Sequence, residues 1–279
     1  MNLFSSQDAE QFTSAVQLSS GTRLAVLADA GRLRYRPGAI IPREPWRPAE
    51  IAVMANIFDA DEPWRQDRSI AIARLPAEQR LAIERLGLAS RPRDVVNSSA
   101  VTSLAGRKCL EIVAEFFRCS SGTRCYGIGT NGPDMATTSI DRNIDRIVGI
   151  HVDHWDQLPL TARPTANNRL AINVGESSYY FLVLPTTLAE MTGLLGLGVD
   201  DGVDLNELPA RFMAAFPDRP VCRFEIAPGD VYIAPTDNLI HDGSTIGVAT
   251  ESRQIVFRGI FEPTEAAFRS LFREWRGRD

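Results

Sequence analysis

Lysine is all but missing from this chain: Lys108 stands alone among 30 basic residues, and the rest are arginine. The arginine fork suits phosphate and carboxylate recognition. Here, however, the arginines are scattered along the sequence, the pattern that codon usage in a GC-rich genome produces. An excess of positive charge is missing too. Thirty-five acids oppose the 30 bases, for a formal net charge of −5, which argues against bulk binding to nucleic acid or to an anionic membrane. The four cysteines, Cys109, Cys119, Cys125 and Cys222, form no C-x-x-C pair. In a chain of 279 residues they do not make a disulfide framework. No uninterrupted apolar run reaches the roughly 18 residues of a membrane span. The N-terminus, MNLFSSQDAEQF, carries Asp8 and Glu10 and lacks the apolar core of a secretory signal. These absences predict a cytoplasmic location, where free thiols persist. Oligomeric state leaves no mark in the sequence.

What is present is ordinary globular composition, 44% apolar and 23% charged, in a length that suits one β-rich domain spanning 1–279. Residues 1–121 read as a mixed α/β support region. Within it, 22–28 is a strand candidate, the Pro-rich stretch 36–48 a loop, and 76–87 a helix entered through Pro and closed by Gly. A second helix is expected over roughly 101–118, with Asn97, Ser98 and Ser99 as caps. From 122 the pattern changes to short β-rich runs punctuated by turns: TRCYGIG, RIVGIHVD, RLAINVG, SYYFLVLP, CRFEIAPGD, VYIAP and RQIVFRGIF. Such spacing predicts a mainly β fold with flanking helices, an antiparallel sandwich or barrel, over 122–262. Helical sequence at 186–217 reads as an insertion, either a lid or a structural flap, and 263–279 reads as a C-terminal helix.

Only three histidines occur, so each can be weighed. His151 closes RIVGIHVD, and alternation along a strand puts His151 and Asp153 on one face and His154 on the other. An imidazole and a carboxylate side by side supply two members of a 2-His-1-carboxylate metal site. His241, 88 residues beyond Asp153, is the expected third. The turn Pro228-Gly229-Asp230 leads into VYIAP, and a loop is expected to deliver His241. Zinc accepts the same ligand set, so the ligands alone do not fix the metal. Twelve residues past His241 comes Arg253, in RQIVFRGIF, with Arg258 five further on. A guanidinium on a neighbouring strand can grip a carboxylate with two hydrogen bonds. The two arginines have opposite parity. Arg253 shares a face with Ile255 and Phe257 and is taken as the inward one, with Arg258 as the fallback.

GIHVDHW, PGDVYIAP, the triplet His241-Asp242-Gly243 and a downstream Arg, in that order, resemble the iron(II)/2-oxoglutarate-dependent dioxygenase superfamily, in particular the small-molecule hydroxylases akin to phytanoyl-CoA dioxygenase. The resemblance covers roughly 123–262. It implies a double-stranded β-helix (a jelly-roll, cupin-like barrel) with Fe(II) on His151, Asp153 and His241. It also implies 2-oxoglutarate and O2 as co-substrates and oxidation of a small molecule. Asn173 and Tyr179 are further candidates for co-substrate contact, and Trp155 for the substrate mouth, against an ordinary packing role. Halogenases of the family lack the carboxylate ligand, so Asp153 favours hydroxylation, desaturation or cyclisation. Arg142, Arg146 and Arg169 make a carboxylate-bearing substrate, such as an amino acid or natural-product intermediate, an option. Asp242 could orient His241. Two other readings stay open: a cupin-type metal enzyme without 2-oxoglutarate, against which stands the missing HxH and Glu, and a non-catalytic barrel module.

Overall fold

Apolar runs from residue 168 onward bury side chains on both faces, so their strands lie between other layers and not on solvent. The computed structural model describes residues 1–5, 15–26, 34–58, 63–198 and 204–270. Eleven of its strands build two large sheets. They are β1 (Asn2–Ser5), β2 (Val16–Leu18), β3 (Arg47–Pro48), β4 (Ser69–Arg74), β5 (Arg124–Asn131), β6 (Asn168–Asn173), β7 (Tyr179–Thr187), β8 (Cys222–Ile226), β9 (Asp230–Ala234), β10 (Leu239–Ser244) and β11 (Ser252–Gly259). The six-stranded sheet runs β1-β4-β9-β6-β11-β5 and the five-stranded sheet β10-β7-β8-β2-β3. Pairing is antiparallel except between β1 and β4. The region before residue 122 is therefore built into both sheets: β1 and β4 extend one edge, β2 and β3 the other.

Three apolar clusters define the layers. Between the sheets lie Ala171 and Tyr232 from one side and Tyr179, Phe181, Val183 and Phe224 from the other. The outer face of the six-stranded sheet (Leu170, Ile172, Ile233, Ile255, Phe257) packs on helices α2 (Ala77–Glu84), α3 (Arg93–Val96) and α4 (Ser99–Val113). The outer face of the five-stranded sheet (Leu182, Leu184, Ile240) packs on α5 (Leu188–Leu194) and α6 (Leu208–Ala215). Helix α1 (Ile51–Ile57) contributes Met54 to the central layer. The expected mainly β architecture with flanking helices is thus present, as several sheets. The helices of 186–217 form a packed outer layer; residues 199–203 of that stretch lie outside the described residues.

Local differences from expectation have physical reasons. The helix expected to reach 118 stops at Val113, because Phe117–Cys119 pairs with Phe261–Pro263 as a short ladder. The strand candidate 22–28 is a strand over Thr22–Leu24, paired with Ile40–Pro42; 27 and 28 lie outside the described residues. Ile40–Pro42 also turns part of the Pro-rich stretch into strand. Of 263–279, helix α7 (Glu265–Ser270) is described and 271–279 is not. RIVGIHVD is not one strand. Arg146–Ile147 pairs with short neighbours, then Gly149 takes φ +80 and the chain resumes pairing at His151. Among the described residues no helix is long and apolar enough to cross a membrane.

Gly149 sets the point at which the histidine enters the sheet. Its neighbour Ile150 donates to the Ile40 carbonyl at 2.9 Å. A Cβ at Gly149 would run into that same carbonyl oxygen, besides requiring positive φ. Gly149→Ala is expected to cost about 2 kcal/mol or more and to lower metal affinity in the same variant. Thermal unfolding together with metal titration measures both, and an unchanged midpoint would refute the role given to Gly149.

Candidate metal centre

His151 and His241 form an isolated antiparallel bridge. The His151 N–H donates to the His241 carbonyl at 3.0 Å, and the His241 N–H to the His151 carbonyl at 2.7 Å. His241 is the third residue of β10 and so sits in a strand, not on a delivering loop. Parity holds as expected: His151, Asp153 and His241 point between the sheets. Ile150 and Val152 join the outer apolar cluster.

Each imidazole is oriented by the same device. His151 Nδ1 lies 2.9 Å from the Gly149 carbonyl, and His241 Nδ1 lies 3.2 Å from the Leu239 carbonyl. A carbonyl only accepts, so both rings carry a proton on Nδ1 and turn Nε2 inward. His151 Nε2 is 3.5 Å from Asp153 Oδ1, and His241 Nε2 is 3.5 Å from Asp153 Oδ2. Donor atoms on all three residues lie within 4.8 Å of one another. Neighbouring ligands around a metal with bonds of about 2.1 Å stand roughly 3 Å apart, so small side-chain adjustments close the set on one ion. His241 Nε2 is buried with no hydrogen-bond partner among the described residues. That is the orphaned polar atom a metal ligand leaves.

The charges agree. Burial alone would pull the His151 pKa down. The hydrogen bonds and charges of Asp153 and Asp242 outweigh it and lift that pKa to about 10. Burial opposes the Asp153 charge, but Arg169, then His241, hold this carboxyl well below its usual range. Burial keeps His241 below the usual imidazole range. In the metal-free protein one proton therefore sits between His151 and Asp153. Asp242 serves His151, 3.6 Å from its Nδ1, and not His241 as expected. Adjacent strand residues face opposite sides, and Asp242 faces the 138–139 segment, where the Thr138 and Ser139 N–H groups donate to it.

The arginines divide by face. Arg253 points away from the histidines. Its Nη1 donates to the carbonyls of Leu88 at 2.8 Å and Arg91 at 2.5 Å, beyond the helix-packed face. The expectation that it is the inward arginine is thus overturned. Its neighbours Ile255 and Phe257 are apolar because they pack on helices. Arg258, the fallback, faces inward, with Nη1 3.9 Å from Asp153 Oδ2 and 2.6 Å from Asp237, and Nη2 3.4 Å from Asp156. Arg169, its direct partner across the β6–β11 ladder, lies nearer: Nη2 donates to Asp153 Oδ2 at 2.8 Å. Arg163 completes the cluster. It is 2% exposed and donates to the Asp153 and Asp237 carbonyls at 2.9 and 3.0 Å.

Of the other candidates, Asn173 and Trp155 fall outside this group. Asn173 clamps a turn, its amide donating to the Ser177 and Ile226 carbonyls. Trp155 is exposed and packs edge-on against Tyr126 with centroids 4.9 Å apart. Tyr179 is buried between the sheets, and its hydroxyl has no hydrogen-bond partner among the described residues. Arg142 is exposed, and Arg146 donates to the Asp145 carbonyl. Lys108 pairs with Glu111 on the surface. All four cysteines are free. Burial pushes the Cys109 thiol up to about 12, with Cys125 adding to it. Sequence reasoning missed Arg163, Asp156 and Tyr232 as site residues. For Tyr232 a signal existed: it shares parity with the small inward Ala234, while Val231 and Ile233 take the helix side. Comparison with protein-family models and with curated proteins finds no significant match.

Two outcomes follow. A metal must displace the His151 proton, so affinity for a divalent ion rises with pH, about tenfold per unit below pH 9, with about one proton released per ion. Zinc or cobalt titrations in buffers of different ionisation enthalpy count that proton; a pH-independent affinity would contradict the site. Arg253→Met leaves two carbonyls without their donor and is expected to cost about 2 kcal/mol of stability with metal affinity unchanged, as chemical denaturation and metal titration report.

Proposed function

We propose that this protein is an iron(II)- and 2-oxoglutarate-dependent oxygenase acting on a small molecule, with Fe(II) held by His151, Asp153 and His241. The observation that carries the reading is the three-residue group itself. Two imidazoles and one carboxylate converge between the sheets; they would occupy one side of a metal and leave the rest of its coordination sphere to other molecules. The strand arrangement supports a double-stranded β-helix. In chain order, β5, the His151 segment, β6, β7, β8, β9, β10 and β11 go to the six-stranded sheet, the other, the first, the other twice, the first, the other and the first. Histidine-bearing segments then meet at one end, where a jelly roll keeps its pocket.

The residues fit the co-substrate as well. 2-Oxoglutarate is a dianion whose keto-acid end chelates a metal and whose far carboxylate needs a fixed cation. Arg258 is already paired with Asp237 and Asp156. Arg169 has Asp153 as its carboxylate partner, feels the Tyr232 hydroxyl beside it, and keeps an Nε with no hydrogen-bond partner among the described residues. The orphaned Tyr179 hydroxyl feels the same guanidinium. Once Asp153 shares its charge with a dication, its hold on Arg169 weakens, and the guanidinium becomes available to a second anion. Arg169, with the Tyr232 and Tyr179 hydroxyls, is therefore the carboxylate anchor in this reading, in place of Arg253.

Iron(II) with 2-oxoglutarate, when bound, would let O2 take two electrons from the keto acid, giving succinate and CO2, and two from a substrate C–H bond, with one oxygen atom going to each organic product. The chain's part is positional. Gly149 and Leu239 carbonyls fix the imidazole tautomers, Arg169 orients Asp153, and the Phe181–Tyr232 stack, centroids 4.3 Å apart, walls the interior against water.

Anaerobic addition of Fe(II) and then 2-oxoglutarate is expected to raise a visible metal-to-ligand charge-transfer band in the wild type. Arg169→Met should demand roughly 10–100-fold more 2-oxoglutarate for the same band, whereas Arg253→Met should not shift it. Iron binding without any band would eliminate 2-oxoglutarate and favour a cupin-type enzyme. A shift in Arg258→Met but not Arg169→Met would move the anchor to Arg258.

A further inference from the structure

On the outer side of the five-stranded sheet, a cavity of about 220 Å3 lies between the 150–154 segment, the loop before Ile40 and helix α6. Ile150, Val152 and Met213 supply apolar wall, and the polar lining is Arg36, His151, His154 and Asn206. No carboxylate is among the lining residues. The cavity thus reaches one ring of the metal centre while facing away from the barrel interior.

His154 presents a fixed donor to it. Arg163 keeps its protons at any accessible pH, so at 2.6 Å its Nη2 donates and His154 Nδ1 accepts. A ring engaged in this way carries its hydrogen on Nε2, the edge turned from Arg163. Arg163 cannot swing away, because its other nitrogen binds the Asp153 and Asp237 carbonyls. Across the cavity Arg36 is exposed and forms no ion pair among the described residues. The amide of Asn206 donates to Asp204 at 3.1 Å, which spends part of it. A pocket with apolar walls, a free guanidinium and an N–H held in place is complementary to an anion carried on an aliphatic body.

We propose that this cavity is a binding site for a small carboxylate with a short aliphatic body, its carboxyl group on Arg36 and His154. A cavity of about 220 Å3 has room for a short-chain carboxylate such as hexanoate. This anion site stands independently of the oxygenase reading.

The test uses the full chain loaded with zinc, so that nothing turns over. Hexanoate and its uncharged counterpart hexanamide are titrated by calorimetry, with imidazole NMR signals followed in parallel. Hexanoate is expected to bind at least tenfold more tightly than hexanamide and to shift the His154 and His151 resonances. Arg36→Ala should erase the difference between the two ligands. His154→Gln, which keeps an N–H donor at the same reach, should retain hexanoate binding, and His154→Leu should weaken it several-fold. Equal affinity for acid and amide, or hexanoate binding indifferent to Arg36→Ala, overturns the proposal. Should His154→Leu fail to hold zinc, Arg36→Ala, an exposed residue outside the three-residue metal group, still decides. Arg36-dependent binding in a protein that gives no charge-transfer band would keep the anion site and remove the oxygenase. A band without Arg36-dependent binding would do the reverse.

Discussion

Two backbone hydrogen bonds between His151 and His241 join segments that are 90 residues apart in sequence. Rings of paired residues on an antiparallel ladder share a face, so the bridge alone brings both imidazoles together, with ring centroids 5.0 Å apart. Asp153 follows by the two-residue period of an extended chain. Nothing else in the centre is independent of this pairing. The Asp153 N–H donates to the Thr236 carbonyl at 2.9 Å, which ties the carboxylate's own backbone to the segment leading into His241. Gly149 and the Ile40 carbonyl hold the first segment in place from the other side. The cost of burying three polar groups is met by holding each to a fixed partner before any ion arrives.

The metal ligands were legible because they rest on local geometry. Parity within His151-Val152-Asp153 survives even though the strand around it is broken, since parity needs only three extended residues. The turn at Pro228-Gly229-Asp230 was equally readable: the Asp230 N–H donates to the Ala227 carbonyl, and Gly229 takes φ +78. What failed was the assignment of faces. In β11 the run Ile255 and Phe257 marks an apolar face, and apolarity was taken to mean the barrel interior. A sheet covered by helices on one side and by a second sheet on the other is apolar on both. The inner face is then the more polar one, because the site lies there, and Arg258 with Val256 and Gln254 occupies it. The same inversion explains why Arg169, on the polar face of β6, read only as a spare cation. Asp242 was misjudged for a related reason: proximity in sequence to His241 placed it near the wrong imidazole, since a strand sends neighbours to opposite sides.

Electrostatics at the mouth divides labour among three arginines. Arg258 and Arg163 are committed to Asp237, and Arg258 to Asp156 as well. Asp156 in turn accepts from the Asn167 N–H at 2.6 Å and donates its own N–H to Asp237. These contacts fix both ends of the stretch from Asp156 to Asn167 against the segment before β10. Buried ion pairs of this kind gain little net stability over apolar packing, because desolvation offsets attraction; their effect is to fix one arrangement. Arg169 differs. Its carboxylate partner belongs to the group that could hold a metal, and its charge would be partly withdrawn by a bound ion. A cation whose partner is conditional is the one able to answer to a second anion, and this distinguishes it from two cations that are permanently engaged.

Arg163 adds the last connection. One nitrogen of its guanidinium holds the Asp153 and Asp237 carbonyls on the inner side of the sheet, and the other sets the His154 ring on the outer side. A single buried fork therefore fixes both the backbone of a metal ligand and the donor that faces the outer cavity. The two sides are coupled by shared rigidity, without any moving part. Displacing the fork would release the Asp153 backbone and free the His154 ring at once. The outer anion site and the candidate metal group are thereby held in register: the registration is a matter of two hydrogen-bonding ends on one planar group, whose geometry does not flex.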